Sequence, residues 1–233
     1  MLAIVTGASR GLGYALAAGL AAEGWRLVVD AREGAALATA AEELSGHTEV
    51  TAVAGDVADP EHRQRLVAAA RRMGGPDLLV NNAGILGPSP QPALADYPLP
   101  VLREVYEINV VAPLALIQLV LPELVARSGM IINVTSDAAV EAYAGWGGYG
   151  SAKAALELAS RVVAVEQPGV RVWCVDPGDL RTRMHQEAFP GEDISDRPRP
   201  DTVVPAFLGL LARRPDSGRF PARDLMAEPS AHR

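Results

Sequence analysis

Tyr149 and Lys153, four residues apart in GYGSAKAALEL, are the first side chains whose types and spacing suggest chemistry. A free phenol has a pKa of about 10, a poor match to reversible proton transfer near neutral pH. An ammonium beside it stabilises the phenolate and lowers that pKa. Residues four apart on a helix share a face, so the pair could work as a general acid/base. Lys153 is also the only lysine in the chain, every other basic residue being arginine. A guanidinium is planar and forked and would place its charge differently, so the exception falls where the two are not interchangeable. A solvated lysine on an amphipathic helix is the plainer alternative. Tyr143 has Gly147 rather than a base four residues on.

The second constellation is TGASRGLG at residues 6–13, with Gly7, Gly11 and Gly13. It closes an apolar run and opens a helical pattern, the place where backbone amides and a helix N-terminus receive a pyrophosphate. The spacing is not G-x-G-x-x-G, and taken alone it also reads as a glycine-rich turn.

Three further motifs follow: NNAG at residues 81–84, Asn109 in YEINVVAP, and Ser136 thirteen residues before Tyr149. In order and spacing, all five resemble the classical short-chain dehydrogenase/reductase family, over about the whole chain up to Pro177 and Gly178. The resemblance implies a nicotinamide cofactor for the hydride and a general acid for the oxygen. Tyr149 would be that acid/base, with Lys153 hydrogen-bonding the nicotinamide ribose and standing as a positive charge beside the phenol. Ser136, rather than Thr135, would polarise the substrate oxygen. Asn109 would maintain a water-linked proton path to Lys153, the alternative being a polar residue that satisfies a helix kink near Pro113.

Cofactor contacts carry over in the same way. Gly7, Ser9, Arg10, Gly11, Leu12 and Gly13 would form the pyrophosphate turn, and Asp56 and Val57 would meet the adenine. Asn82, Ala83 and Gly84 match the adenosine-side strand end; Pro177, Gly178, Leu180 and Thr182 match the turn near the nicotinamide carboxamide. Members that use NAD carry an acidic residue at the end of the second strand. Here that position is Ala31, followed by Arg32, with Arg10 in the glycine turn. Two guanidiniums suit a 2′-phosphate, which favours NADP(H) over NAD(H). Asp30 is the complication, because a shift of one residue would make it the NAD determinant.

These residues require a scaffold, and the chain supplies one pattern throughout. Apolar runs LAIVTG, RLVVDA, TEVTAVAGD, DLLVNNAG, GMIINVTS and VRVWCVDPG alternate with amphipathic stretches such as YALAAGLAAEG, PEHRQRLVAAARRMG and LREVYEINVVAPLALIQLVLPELVARS. That order predicts parallel strands joined by crossover helices, a Rossmann-type doubly wound α/β sheet in one domain over residues 1–233. HQEAFPGEDISDRPRP, residues 185–200, reads as a loop, and a substrate loop is expected over about 184–200 together with side chains around Trp146. Asp137 and Asp179 stand where small or apolar residues are usual in the family, and GRFPARDL stands where it often has a glycine-rich strand end. Residues 226–233 read as a frayed tail.

With 233 residues, 49% of them hydrophobic, the chain can bury a large core. A net charge of -7 argues against nucleic acid or an anionic membrane as partner. The single cysteine, Cys174, sits in a strand pattern and reads as an inert core thiol. The four histidines are dispersed without metal-ligand spacing. No leader is read ahead of the first strand, and no apolar run is read as approaching the roughly 20 residues of a membrane span, so a cytoplasmic location is expected. The reading is therefore NADP(H)-dependent interconversion of a carbonyl and a hydroxyl on a small organic substrate by a homo-oligomer, dimer or tetramer. A noncatalytic NADP(H)-binding sensor or scaffold and an epimerase or dehydratase built on the same site are the alternatives.

Overall fold

A computed structural model of the chain describes residues 1–227. Its centre is a seven-stranded parallel sheet in the order β3-β2-β1-β4-β5-β6-β7. The strands are β1 (Leu2–Val5), β2 (Arg26–Ala31), β3 (Val50–Ala54), β4 (Leu78–Asn81), β5 (Met130–Val134), β6 (Arg171–Asp176) and β7 (Gly218–Pro221). β1, β4 and β5 are buried along their whole length, as continuous apolar runs in a sheet covered on both faces must be.

The pleat sorts the core into two layers. Ala3 and Val5 of β1 face helices α1 (Gly11–Ala22), α2 (Gly34–Ser45) and α8 (Val204–Arg213), packing with Leu16, Leu20, Leu37 and Phe207. Leu2 and Ile4 face the other way, onto Leu66 and Val67 of α3 (Pro60–Arg72), Leu116 and Val120 of α5 (Ala112–Arg127) and Val163 of α6 (Gly147–Glu166). α3 shows how locally these helices are written. Asp59 accepts the Glu61 amide at 2.9 Å, Pro60 occupies the first turn, and Arg71 and Arg72 lie in the last turn, where the helix dipole favours cations.

Several sequence expectations change. The long helical stretch starts at Leu99 and changes register: α4 (Leu99–Tyr106) passes through a π-turn, Glu107–Val111, into α5. Pro113 cannot donate to the carbonyl four residues back, and a π-turn is a usual accommodation. Contrary to the apolar-run expectation, this continuous helix of 29 residues is long and apolar enough to cross a membrane by length and composition. In the fold, however, its Val105, Ile108, Ala112, Leu116 and Leu124 are buried in the core. The 185–200 segment is not all loop, since its first residues belong to α7 (Arg183–Ala188), whose start is capped by Thr182 Oγ1 accepting the His185 amide at 3.2 Å. GRFPARDL supplies β7 and the first turn of α9 (Ala222–Ala227). Of the tail expected at 226–233, Met226 and Ala227 are therefore helical, and the rest lies outside the described residues.

Candidate active site

The C-terminal ends of the strands open into a cleft of about 1160 Å³. Such a crevice is where ligands bind in open α/β sheets. Every cofactor residue and every catalytic residue expected from the sequence lines it, except Asn109.

At one end lies the glycine turn. Gly7 has φ +67°, and a Cβ there would stand 3.0 Å from the Ala83 backbone; a Cβ on Gly13 would meet the Gly7 carbonyl at 2.3 Å. Close approach therefore forbids side chains at both positions. Arg10 precedes α1 without capping it by a side-chain hydrogen bond, so the first amides of that helix are left to a ligand or solvent. An uncapped helix start beside crowded glycines fits a pyrophosphate. Asn82 braces the turn, its Nδ2 donating to the Thr6 and Gly7 carbonyls at 2.9 and 3.3 Å.

Asp30 settles in the interior. Its Oδ1 accepts the Gly7 amide at 2.8 Å, and its Oδ2 lies 2.9 Å from His62 Nε2. Both side chains are buried, and desolvation pushes the Asp30 carboxyl above the usual range while His62 and the Gly7 amide draw it back. The partnership with His62 was not legible in the sequence, because the two residues lie 32 positions apart. Ala31 and the exposed Arg32 face the same end of the cleft, and Arg10 forms an ion pair with Glu33, a residue the motifs did not single out.

At the other end stand Tyr149 and Lys153 on α6. Lys153 is 4% exposed, and its Nζ donates to the Val134 carbonyl at 2.8 Å while lying 5.6 Å from the centre of the Tyr149 ring. Burial lowers the lysine pKa to about 8. The sequence predicts a lowered phenol pKa, but in the protein alone the phenol is pushed up: burial dominates, and Asp176 and Asp137 add to it. Lys153 points to a backbone carbonyl rather than to the phenol.

Ser136 Oγ donates to Asp137 Oδ1 at 2.9 Å and accepts the Ala138 amide at 3.2 Å. The Thr135 hydroxyl instead donates to buried Glu157 at 2.7 Å, which leaves Ser136 as the hydroxyl with a path to the cleft. Asp137 also accepts from the Tyr143 hydroxyl at 3.0 Å. Asn109, fully buried in the π-turn, exchanges two hydrogen bonds with the backbone of Ile85, both at 2.9 Å. Its side chain is spent there rather than on the kinked helix. A Cβ added to Gly84 would stand 3.1 Å from Asn109 Oδ1 and 3.7 Å from Lys153 Nζ, so one glycine lies against both residues.

The wall around Tyr149 is apolar. Trp146 meets the Tyr149 ring edge-on at 5.9 Å between centroids, Phe189 lies 5.9 Å from Trp146, and Leu86, Met184 and Ala188 pack into the same cluster. Met184 and Ala188 come from α7, inside the segment expected to shape substrate access.

A family model described as short chain dehydrogenase matches residues 1–193. The chain is 37% identical over 188 residues to the 1-deoxy-11-beta-hydroxypentalenate dehydrogenase of Streptomyces avermitilis, covering 78% of this chain and 69% of that protein. It is 35% identical over 199 residues to the sepiapterin reductase of Rattus norvegicus, covering 79% and 76%. Among solved structures, an alcohol dehydrogenase from the archaeon Thermococcus sibiricus complexed with 5-hydroxy-NADP matches with a TM-score of 0.86 at 28% identity, covering 94% of both chains.

Proposed function

The chain belongs to the short-chain dehydrogenase/reductase family of oxidoreductases, and from that premise we propose that it interconverts a carbonyl and a hydroxyl on a small organic substrate with NADP(H). The observation that carries this reading is the meeting of a glycine turn with uncapped helix amides and a buried Tyr149–Lys153 pair in one cleft.

The turn through Gly7, Gly11 and Gly13 would hold the pyrophosphate, and Arg32 with Arg10 would take the 2′-phosphate. Bound there, the nicotinamide would supply or accept the hydride. Tyr149 gives or takes the proton on the substrate oxygen, and Ser136 leaves Asp137 to donate to that oxygen as charge develops on it. Lys153 would hold the ribose and, when charged, favours the phenolate. Asn109 fixes the Ile85 backbone beside Gly84 and so keeps the floor of the Lys153 pocket in place, supporting a proton path from it. The apolar wall of Trp146, Met184 and Phe189 suits a substrate with an apolar body around its carbonyl.

We assign the working form to a homo-oligomer. The π-turn exposes Val111 at its last residue, α5 exposes Val125, and α6 exposes Leu158, Val162 and Val165, each on the outer side of its helix. Exposed apolar stripes on neighbouring helices suit a second copy of the same chain. The cytoplasm is the proposed location, in keeping with a single cysteine that is buried and unpaired.

The test is a panel of ketones, aldehydes and alcohols read by the absorbance of added NADPH or NADP. Turnover of at least one pair is expected, and none with either cofactor would overturn the reading.

A further inference from the structure

We infer that Arg219, on the last strand, is a positioning residue for the whole catalytic end of the cleft. This rests on the oxidoreductase reading above. Its guanidinium makes three hydrogen bonds to three different elements: Nε donates to Glu157 Oε1 at 3.0 Å, and Nη2 donates to Asp176 Oδ2 at 3.0 Å and to the Ser136 carbonyl at 3.2 Å.

The sheet register explains how it arrives there. Cys174 and Asp176 share one face of β6, and Arg219 pairs with Cys174 in the parallel ladder, so its side chain rises on that same face, toward α6. Each partner then leads to a residue of the site. Glu157 lies one helical turn beyond Lys153 on α6, and its Oε1 also accepts from Thr135. Asp176 uses its other oxygen to accept the Gly178 amide at 3.0 Å, which shapes the Pro177–Gly178 turn. The third bond grips the backbone of Ser136 itself. One fork thus ties the Lys153 helix, the Ser136 loop and the cofactor-side turn together, which a point-charge ammonium cannot do.

Arg219 also neutralises Asp176, a carboxylate that acts on the phenol, and Glu157 beside it. Glu157 and Asp176 are both buried, with side chains 10% and 11% exposed, and Arg219 is the cation within salt-bridge distance of each among the described residues. The charged groups facing this region are Lys153 and Glu157 from α6, Asp176 from β6, Asp137 from the loop after β5 and Arg219 from β7, with the Cys174 thiol beneath, pushed up by burial to about 11. Asp176 already raises the Tyr149 pKa, and loss of its arginine would raise it further.

The experiment compares wild type, Arg219→Met and Arg219→Lys on a substrate found in the panel, after NADPH binding and a thermal melt establish the folded fraction. Arg219→Met is expected to lose about ten- to hundredfold in kcat, in keeping with a displacement of about 1 Å of catalytic groups, and to change KM less. Its pH profile for alcohol oxidation, which needs the phenolate, should move to higher pH. Arg219→Lys should return the profile toward wild type while kcat stays reduced, because charge is restored and the fork is not. Wild-type kcat and pH profile in folded Arg219→Met would overturn the inference alone. Should Arg219→Met not fold, Arg219→Lys decides, and wild-type kcat there overturns it. A wild type without turnover on any substrate overturns the oxidoreductase reading and this inference with it.

Discussion

Lys153 stands one helical turn from Tyr149 with its ammonium 5.6 Å from the phenol ring centre, yet its hydrogen bond goes to the Val134 carbonyl at 2.8 Å. The lysine is therefore anchored to the sheet independently of the tyrosine. Tyr149→Phe should leave that anchor and the ring packing against Trp146 intact, while removing the hydroxyl proposed to move the proton. NADPH affinity should stay within about twofold, and kcat should fall by at least about a hundredfold, the lower range for general acid/base catalysis. Fluorescence titration and steady-state kinetics check both, and retained turnover would remove Tyr149 from the mechanism.

Burial of Lys153 also gives the protein a pH-dependent stability. Its pKa of about 8 in the fold lies below the ordinary 10.5. Between those values the unfolded chain holds a proton that the folded chain has lost, so stability rises as pH rises through that window. Below about pH 8 both states are protonated and the destabilisation from burying the ammonium is fully present. Lys153→Met removes this dependence. In thermal melts without cofactor, wild type should gain on Lys153→Met between about pH 8 and about pH 10. Above that, the raised Tyr149 pKa lowers the stability of both proteins alike. A melting-temperature difference that stays constant across the window would show that Lys153 is not held neutral at its upper end.

The apolar stripe on α6 makes a separate claim. Leu158→Glu combined with Val162→Glu places charges on side chains that are 56% and 46% exposed in the single chain, so the fold should survive. Sedimentation should show wild type as a dimer or tetramer and the variant as a monomer. A monomeric wild type would dismiss the oligomer.

What could be read from the sequence was what local pattern encodes. Apolar runs and glycine turns mark the strands and the cradle, and the four-residue spacing of Tyr149 and Lys153 needs only a helix to become a face. What could not be read depends on contacts between distant segments. Alternation along β2 says that Asp30 and Ala31 point to opposite faces, but only packing reveals His62 beneath Asp30. Likewise, GRFP looks like a departure from a glycine-rich strand end until Arg219 is seen to bridge Glu157, Asp176 and Ser136. The phenol pKa depends on distant contacts too: spacing gives proximity along a helix, whereas burial, with Asp176 and Asp137, raises the phenol pKa.

Cofactor choice turns on the same strand end. Asp30 is already held by the Gly7 amide and His62, so its carboxylate is not free to accept the ribose hydroxyls as an NAD determinant does. In the proposed function Ala31, Arg32 and Arg10 would then read the adenosine end, with Arg10 held by Glu33 in a surface ion pair of small energy. Wild type should therefore bind NADPH more tightly than NADH, and the gap should shrink as salt screens the guanidiniums. Replacing Ala31 with Asp and Arg32 with Ser should reverse the preference, because the new carboxylate gains the hydroxyls and repels the phosphate. A hydrogen bond to a charged group contributes roughly 1.5 to 3 kcal/mol, so each lost contact changes affinity by about ten- to a hundredfold. Fluorescence titration of both cofactors against both proteins measures this. A wild type that prefers NADH would mean that Asp30 leaves His62 when cofactor binds, and the guanidiniums would lose the role given to them.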